Sequence, residues 1–280
     1  MALSTISLTS GMRANLFSLQ KTSLDMEVTQ KRLSTGLKVN SALDDPINFF
    51  TAQEHKMRAS DLASRKDGMS EAIQTIKAAN VGIEGINNLI AQAKSLAQSA
   101  LSAGSTDALA FGTQFGEVLS QINEMAEDSG YKGINLLQSG ELTIEFAPSA
   151  GDATLKLVGF GGTDTQFTTI DSSTVTSAGW VSDTDVSTSV IQSAIDGLET
   201  AMGDLRTESK KLSSNLSIIT AREDFTSNMT NTLKDGAAKL TEADMNEEGA
   251  NMLMLQTRQA LGTTSLSMAS QAAQSVLRLF

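Results

Sequence analysis

His55 is the one imidazole in this 280-residue chain, and it stands between Glu54 and Lys56 in a segment of helical pattern. With no nucleophile or second base spaced to meet it, it reads as a solvated helix residue rather than a general base. Asp44 and Asp45 could offer paired carboxylates to a hard cation. Pro46 follows directly, however, and an aspartate before a first-turn proline is the pattern of a helix N-cap. Glu242, Asp244, Glu247 and Glu248 form an acidic cluster that reads as a solvated turn beside a helix break. Phe160-Gly161-Gly162 lacks the lysine and the following helix of a phosphate-binding loop, so it reads as a turn. Asn215-Leu216-Ser217 and Asn228-Met229-Thr230 match the N-glycosylation triplet, but inside a helical pattern, where chance is the better account. No acid, base and nucleophile converge, so no catalytic residue, cofactor or metal is expected. The chain has no cysteine, which excludes disulfides and thiolate metal sites.

Composition narrows the partners. A net charge of −11 with no basic patch, Lys210-Lys211 being an isolated pair, argues against nucleic acid or an anionic membrane surface. No apolar run is long enough to span a bilayer. The opening Met-Ala-Leu-Ser-Thr-Ile-Ser-Leu lacks the basic and continuous apolar regions of a secretory signal. Apolar content comes from Ala, Leu, Ile and Met, with 10 Phe, one Trp and one Tyr, which suits thin helical layers. Two prolines leave long helices uninterrupted.

The apolar spacing carries the most information. Ile191, Ile195, Leu198, Met202, Leu205, Ser209, Leu212, Leu216 and Ile219 alternate steps of four and three, a stripe that demands a partner helix. Met12, Leu16, Leu19, Ser23, Met26, Gln30, Leu33 and Leu37 repeat that spacing with more polar lapses. Such seams flank the whole chain without a thick middle to pack on. We therefore read Leu3, Ile6, Met12, Leu16, Leu19, Leu33, Leu198, Leu205, Leu212, Leu216, Leu266, Val276 and Leu279 as helix-packing and assembly residues.

Between the seams, Gly36 offers a helix stop, Asp45 an N-cap, and a second helix runs from Pro46 to near Leu101. Gly82 and Gly85 within it predict close approach by another helix. Phe115, Leu119, Ile122 and Met125 mark a third helix, which Ser129-Gly130 would close in a left-handed cap. The period then changes to two: Leu142, Ile144, Phe146 and, after a turn, Leu155 and Leu157 predict a β-hairpin. Residues 161–189, rich in Ser, Thr, Asp and Gly, read as a solvent-facing excursion with at most one strand, at Phe167–Ile170. A return helix occupies 188–238, with a phase slip after Ile219 onto Phe225, Met229, Leu233 and Leu240, and a bend marked by Gly236 and Asn246–Gly249. Leu266, Ala269, Ala273, Val276, Leu277 and Leu279 form a last, weakly amphipathic stretch. The fold class expected is mainly α: long antiparallel coiled-coil-like helices from both termini, with a small β-hairpin region between them.

Arg32-Leu33-Ser34-Thr35-Gly36-Leu37-Lys38-Val39-Asn40-Ser41-Ala42-Leu43-Asp44-Asp45 closely resembles the signature of bacterial flagellin. The resemblance continues through Asp67-Gly68, Gly133-Ile134-Asn135-Leu136-Leu137, Leu240-Thr241-Glu242-Ala243-Asp244-Met245, Gln256-Thr257-Arg258-Gln259-Ala260 and the closing Val276-Leu277-Arg278-Leu279-Phe280. It implies a structural subunit that polymerises with many copies of itself into the extracellular flagellar filament. The partners it implies are the flagellar cap, the hook-associated proteins and a cytoplasmic export chaperone, with export through the flagellar secretion channel and no cleaved signal peptide. Residues 1–43 plus 241–280 would be inner-core terminal helices. Residues 44–140 plus 188–240 would form an outer helical layer, and 141–187 the hairpin and a short variable region whose Ser and Thr residues are candidates for O-glycosylation. The chain departs from the family where Pro46-Ile47-Asn48-Phe49-Phe50 replaces small residues. It departs again at Lys94, Ser95 and Leu96, where an immune-receptor segment usually reads Arg-Glu-Leu, and loss of the arginine fork and the carboxylate weakens that recognition. The alternatives are a hook–filament junction protein, which shares the terminal signatures, and a secreted coiled-coil effector.

Overall fold

A computed structural model describes residues 10–147, 153–160, 179–182 and 185–277. Five helices dominate: α1 (Ser10–Thr35), α2 (Pro46–Leu101), α3 (Ser105–Asp128), α4 (Thr188–Thr241) and α5 (Met245–Leu277). Between α3 and α4 lie β1 (Glu141–Glu145) with β2 (Thr154–Val158), and the two-residue strands β3 (Val181–Ser182) and β4 (Asp185–Val186). The chain divides into two units, one running to Met57 and resuming at Thr232, the other Arg58–Asn231.

The Arg58–Asn231 unit holds the larger core. Along α2, Met69, Ile76, Ile83, Ile90 and Ala97 recur at sevens, and so do Ala72, Ala79, Ile86, Ala93 and Ala100; all ten are buried. Two adjacent buried lines at heptad spacing mean that this helix packs against two neighbours at once. One neighbour is α4, antiparallel to it: Ser70 donates to Glu223 (2.8 Å), Ser209 to Asn80 (3.4 Å), and Lys94 pairs with Glu199 (2.5 Å). The other is α3, whose buried Ala108, Gly112, Phe115, Leu119, Ile122 and Ala126 keep the same alternation of fours and threes.

Gly82 and Gly85 make the approach of α3 possible. A Cβ on Gly82 would stand 2.6 Å from the Ser129 Cβ and 2.8 Å from the Leu137 Cδ1, and one on Gly85 would meet the Met125 sulfur. The close approach expected of these glycines is therefore present. Gly82→Ala gains about 1 kcal/mol of helix propensity but forces a clash costing about 1–3 kcal/mol, and the clash wins because the Ser129 Cβ, bonded directly to its backbone, cannot rotate away. Lower stability of Gly82→Ala in urea is the expected result. Gly203→Ala, at an α4 position with nothing near the new methyl, should instead raise stability by up to about 1 kcal/mol.

The end of α3 departs from expectation. Gly130 is not left-handed, and Ser129 has φ −77°. The positive φ values fall instead at Lys132 (49°) and Gly133 (82°), inside a tight turn closed by reciprocal Tyr131–Ile134 backbone bonds of 2.9 and 3.0 Å. Two successive positive φ angles are what a two-residue hairpin turn needs. The carbonyls at the end of α3 are satisfied by Asn135, whose amide donates to Ala126 (2.7 Å) and Glu127 (3.0 Å), while its Oδ1 accepts from the Leu137 N–H. Gly133-Ile134-Asn135-Leu136-Leu137 thus works as a unit: turn, bridge, helix cap and two fully buried leucines.

The hairpin forms as its period-two pattern predicts. Leu142 faces Leu157 and Ile144 faces Leu155, with Ile144 and Leu157 buried. Arg65 of α2 pairs with Glu145, and Arg222 of α4 lies 5.4 Å from the centre of the Phe146 ring, so both long helices hold it. The reading of 161–189 as solvent-facing needs correction. Trp180 is 1% exposed, with its ring 4.7 Å from that of Phe115. An aromatic ring of this size outweighs its polar sequence neighbours, and it brings the returning chain back onto the core just before α4. The proposed strand at Phe167–Ile170 and Gly161-Gly162 lie outside the described residues.

Candidate helix-packing surface

The other unit is organised by α1 against α5. Their register is fixed at three levels: Asn15 donates to Ser265 (3.4 Å), Gly262 abuts Leu19, and Arg32 binds Glu248 (2.9 Å). The numbers fall in α1 as they rise in α5, so the helices are antiparallel. A Cβ on Gly262 would lie 2.6 Å from the Leu19 Cδ2, so the helices meet most closely where the sequence supplies no side chain.

The line that α1 buries is not the one read from hydropathy. Met12, Asn15, Leu19, Thr22, Met26, Thr29 and Leu33 are buried or half-buried, in steps of three and four, while Leu16, Ser23 and Gln30 are exposed. The seam sits one residue off the expected track at alternate positions. Threonine makes this tolerable: the Thr22 hydroxyl donates to the Ser18 carbonyl (2.9 Å), so the side chain enters the seam by its methyl without an orphaned polar atom. On α5 the inner line is Glu248, Met252, Leu255, Gln259, Gly262, Leu266, Ala269 and Ala273.

The α4 helix repeats this. Its seam shows no phase slip after Ile219, because Glu223, Thr226, Thr230, Leu233, Ala237 and Leu240 continue the alternation, and Phe225 is exposed. Nor does Gly236 interrupt the helix, which runs on to Thr241. The break falls at 242–244, where Asp244 caps α5 by accepting from the N–H groups of Asn246 (2.9 Å) and Glu247 (3.3 Å).

Around that break the two ends of the unit are clasped. Gly36, at φ 72°, closes α1 and accepts from the Ala243 N–H (2.9 Å). Lys38 N–H reaches the Thr241 carbonyl (2.8 Å), and Lys38 Nζ reaches that of Lys239 (3.1 Å), satisfying the end of α4. Asp45 caps α2 through the Asn48 N–H (3.1 Å), as expected before Pro46. Glu248 corrects the picture of a solvated acidic turn: it is buried in the α1–α5 seam and neutralised by Arg32. The signal was available, since Arg32 opens the first signature and Glu248 lies one seam step before Met252.

Asp44 is taken up by the loop before α2, and among the described residues there is no group of three or more acidic or histidine side chains placed to hold an ion. Its Oδ2 accepts from the N–H groups of Asn40 and Ser41 and from the Ser41 hydroxyl, which together hold its carboxyl below the ordinary value of 3.8. Because the folded-state value is depressed, this loop's contribution is complete above about pH 4 and is lost as pH falls through the folded-state value. Asp44→Asn should remove that acid dependence, read by comparing the acid unfolding profiles of the two proteins.

The sequence-designated residues thus separate. Leu198, Leu205 and Leu212 are buried in the larger core, and Leu216 packs half-buried against it. Met12 is buried, Leu19, Leu33 and Leu266 are half-buried, and Leu16 is exposed. Val276 lies in the last turn of α5; Leu3, Ile6 and Leu279 lie outside the described residues. Lys94 is engaged by Glu199, Ser95 is exposed and Leu96 half-buried.

What hydropathy missed is an outer face. Because small and polar residues occupy the inner seam, large apolar ones point away from it. On α5, Met254, Leu261 and Met268 recur at sevens, 51%, 67% and 60% exposed, with Leu253 beside them. On α1, Phe17, Leu24 and Val28 are exposed, and so are Leu43, Ile47 and Phe50 around the start of α2. These exposed side chains leave both α1 and α5 with large apolar groups that no partner among the described residues of the chain covers. Among the described residues no helix is long and apolar enough to cross a membrane.

Comparison with known proteins agrees at both ends. Residues 4–141 match the bacterial flagellin N-terminal helical region, and residues 190–280 the bacterial flagellin C-terminal helical region. The chain belongs to the bacterial flagellin family. It is 28% identical to flagellin FljM of Caulobacter vibrioides over 100% of both chains, and 27% identical to a flagellin of Brucella melitensis over 95% of both. The crystal structure of Bacillus cereus flagellin matches at 16% identity with a TM-score of 0.45, over 57% of this chain and 88% of that one. As a flagellin, the chain is a structural subunit of the extracellular flagellar filament, and its family is one of structural proteins.

Proposed function

We propose that the outer faces of α1 and α5 are the surfaces by which copies of this flagellin pack into the filament, with residues 1–43 and 241–280 forming its inner core. Residues 44–140 and 188–240 form the layer around it, and 141–187 carry the hairpin and the variable surface. The observation that carries this reading is the inversion of α1 and α5: threonine, glycine, alanine and asparagine or glutamine line much of the internal seam, while Phe17, Leu24, Leu261 and Met268 stand in solvent. A monomer optimised for its own stability would bury the larger side chains. On this reading Leu16 serves assembly directly. Leu198, Leu205 and Leu212 serve it by keeping the outer layer folded, and Leu19, Leu33 and Leu266 by holding α1 to α5.

The chain acts without catalysis. It leaves the cell through the flagellar secretion channel, is met beforehand by an export chaperone, and is bounded in the flagellum by the cap and hook-associated proteins. Lys94, tied up with Glu199, offers no guanidinium fork, which supports weak recognition by the innate immune receptor. Purified monomer added to filament fragments should elongate them into long tubes visible by negative stain. Addition that stops after a few subunits would overturn the filament reading. In the filament, α1 and α5 should resist protease far better than in dilute monomer.

A further inference from the structure

We infer that the outward methionines of α5 make self-assembly sensitive to oxidation, with Met254 and Met268 as the modification sites; this rests on the assembly reading of the outer face. The chain contains 12 methionines and no cysteine, so thioethers are its most readily oxidised side chains. Their environments differ sharply. Met69 is fully buried in the larger core and Met12 is buried in the α1–α5 unit, whereas Met254 and Met268 are half exposed or more and lie two turns above and below Leu261 on one heptad line. The remaining exposed ones among the described residues, Met57 and Met245, stand off that line.

The chemistry is complete with a peroxide as oxidant. A sulfur lone pair attacks one peroxide oxygen, the O–O bond breaks, an S–O bond forms, and water leaves, so the sulfur is oxidised and the peroxide reduced. The flexible apolar side chain becomes a polar sulfoxide whose oxygen demands a hydrogen-bond donor. On the free monomer that oxygen faces water, and the fold is undisturbed. In a docked helix face it is stripped of water beside Leu253, Leu261 and the partner's apolar surface, with Arg258 and Thr257 as the polar groups lining the groove at Met254, and docking weakens. The filament protects the same sulfurs once they are covered, so sensitivity belongs to the subunit before assembly. Methionine sulfoxide reductases, one for each sulfoxide epimer, reverse the change.

The test treats purified monomer with hydrogen peroxide, locates sulfoxide by peptide mass spectrometry, and measures growth on filament seeds. Met254 and Met268 should oxidise well before Met12 and Met69, circular dichroism should be unchanged, and the concentration needed for growth should rise about tenfold or more. Treatment with both reductases should restore growth, a result that needs no variant. M254L/M268L monomer should grow at the same rate with and without the peroxide treatment, whatever its own starting rate. Normal growth of wild-type monomer carrying verified sulfoxide at both positions would overturn the proposal, as would equal inhibition of the double leucine variant. Failure of the underlying assembly reading shows separately, as normal growth of unoxidised Leu261→Asp.

Discussion

Leu261→Asp should leave the monomer folded and stop its growth on filament seeds. Leu261 is 67% exposed in the middle of α5, flanked by Leu253, Met254 and Met268 and turned away from the seam with α1. In the monomer the carboxylate stays in water, so the helix loses little beyond a small difference in propensity. In the assembled state the same group would be buried without a partner, at about 2–4 kcal/mol for each contact formed, which raises the growth concentration on the order of a hundredfold. Circular dichroism and urea unfolding should match the wild type while electron microscopy shows no tubes. Leu16→Asp, exposed on α1, should act the same way with a smaller effect. Wild-type growth by Leu261→Asp would remove α5 from the assembly surface.

The period of the helices was legible in the sequence, whereas their phase at the ends of the chain was not. In the larger unit the buried line of α4 is Ile191, Leu198, Leu205, Leu212 and Ile219, all apolar, and hydropathy finds it without ambiguity. On α1 two helical faces compete. The tracks through Met12, Leu19, Met26 and Leu33 share every second position and differ by a single residue between, so choosing Leu16 over Asn15 shifts the whole seam. Hydropathy takes the leucine because it assumes that the greasiest side chain faces the chain's own interior. That assumption fails where a helix has a second partner outside the molecule. The apparent slip at Phe225 has the same form, since Phe225 is exposed while Thr226 and Thr230 go inward.

Other features fell on either side of that line for local reasons. Pro46 after Asp45, and Gly36 before a change of pattern, declare caps that depend only on neighbouring backbone, and both appear where expected. Asn135 and Trp180 were missed because their roles are tertiary: one caps the end of α3 across a turn, the other stacks on Phe115 from a polar stretch. Glu248 was missed because a charge in an acidic cluster reads as solvated until its arginine, distant in sequence, is placed beside it.

Leu198→Asp should fail for the opposite reason to Leu261→Asp, and the contrast separates folding from docking. Leu198 is fully buried in the seam of α4, in the core that holds Ile90, Ala93 and Phe115. Aspartate removes about 1.5–3 kcal/mol of apolar burial and must then be solvated by opening the core or protonated within it, adding several kcal/mol more. A total of about 5 kcal/mol is comparable with the whole stability of many domains, so Arg58–Asn231 should be largely unfolded at rest. Trp180 supplies the readout, since it is the one tryptophan and lies buried against Phe115 in that unit. Its fluorescence in the variant should already resemble that of urea-unfolded protein. Leu216→Asp, half-buried at the margin of the same core, should shift the urea midpoint by less and impair filament growth only as far as it unfolds the monomer. Loss of growth by Leu216→Asp with an unchanged urea midpoint would show instead that this part of α4 touches another subunit directly.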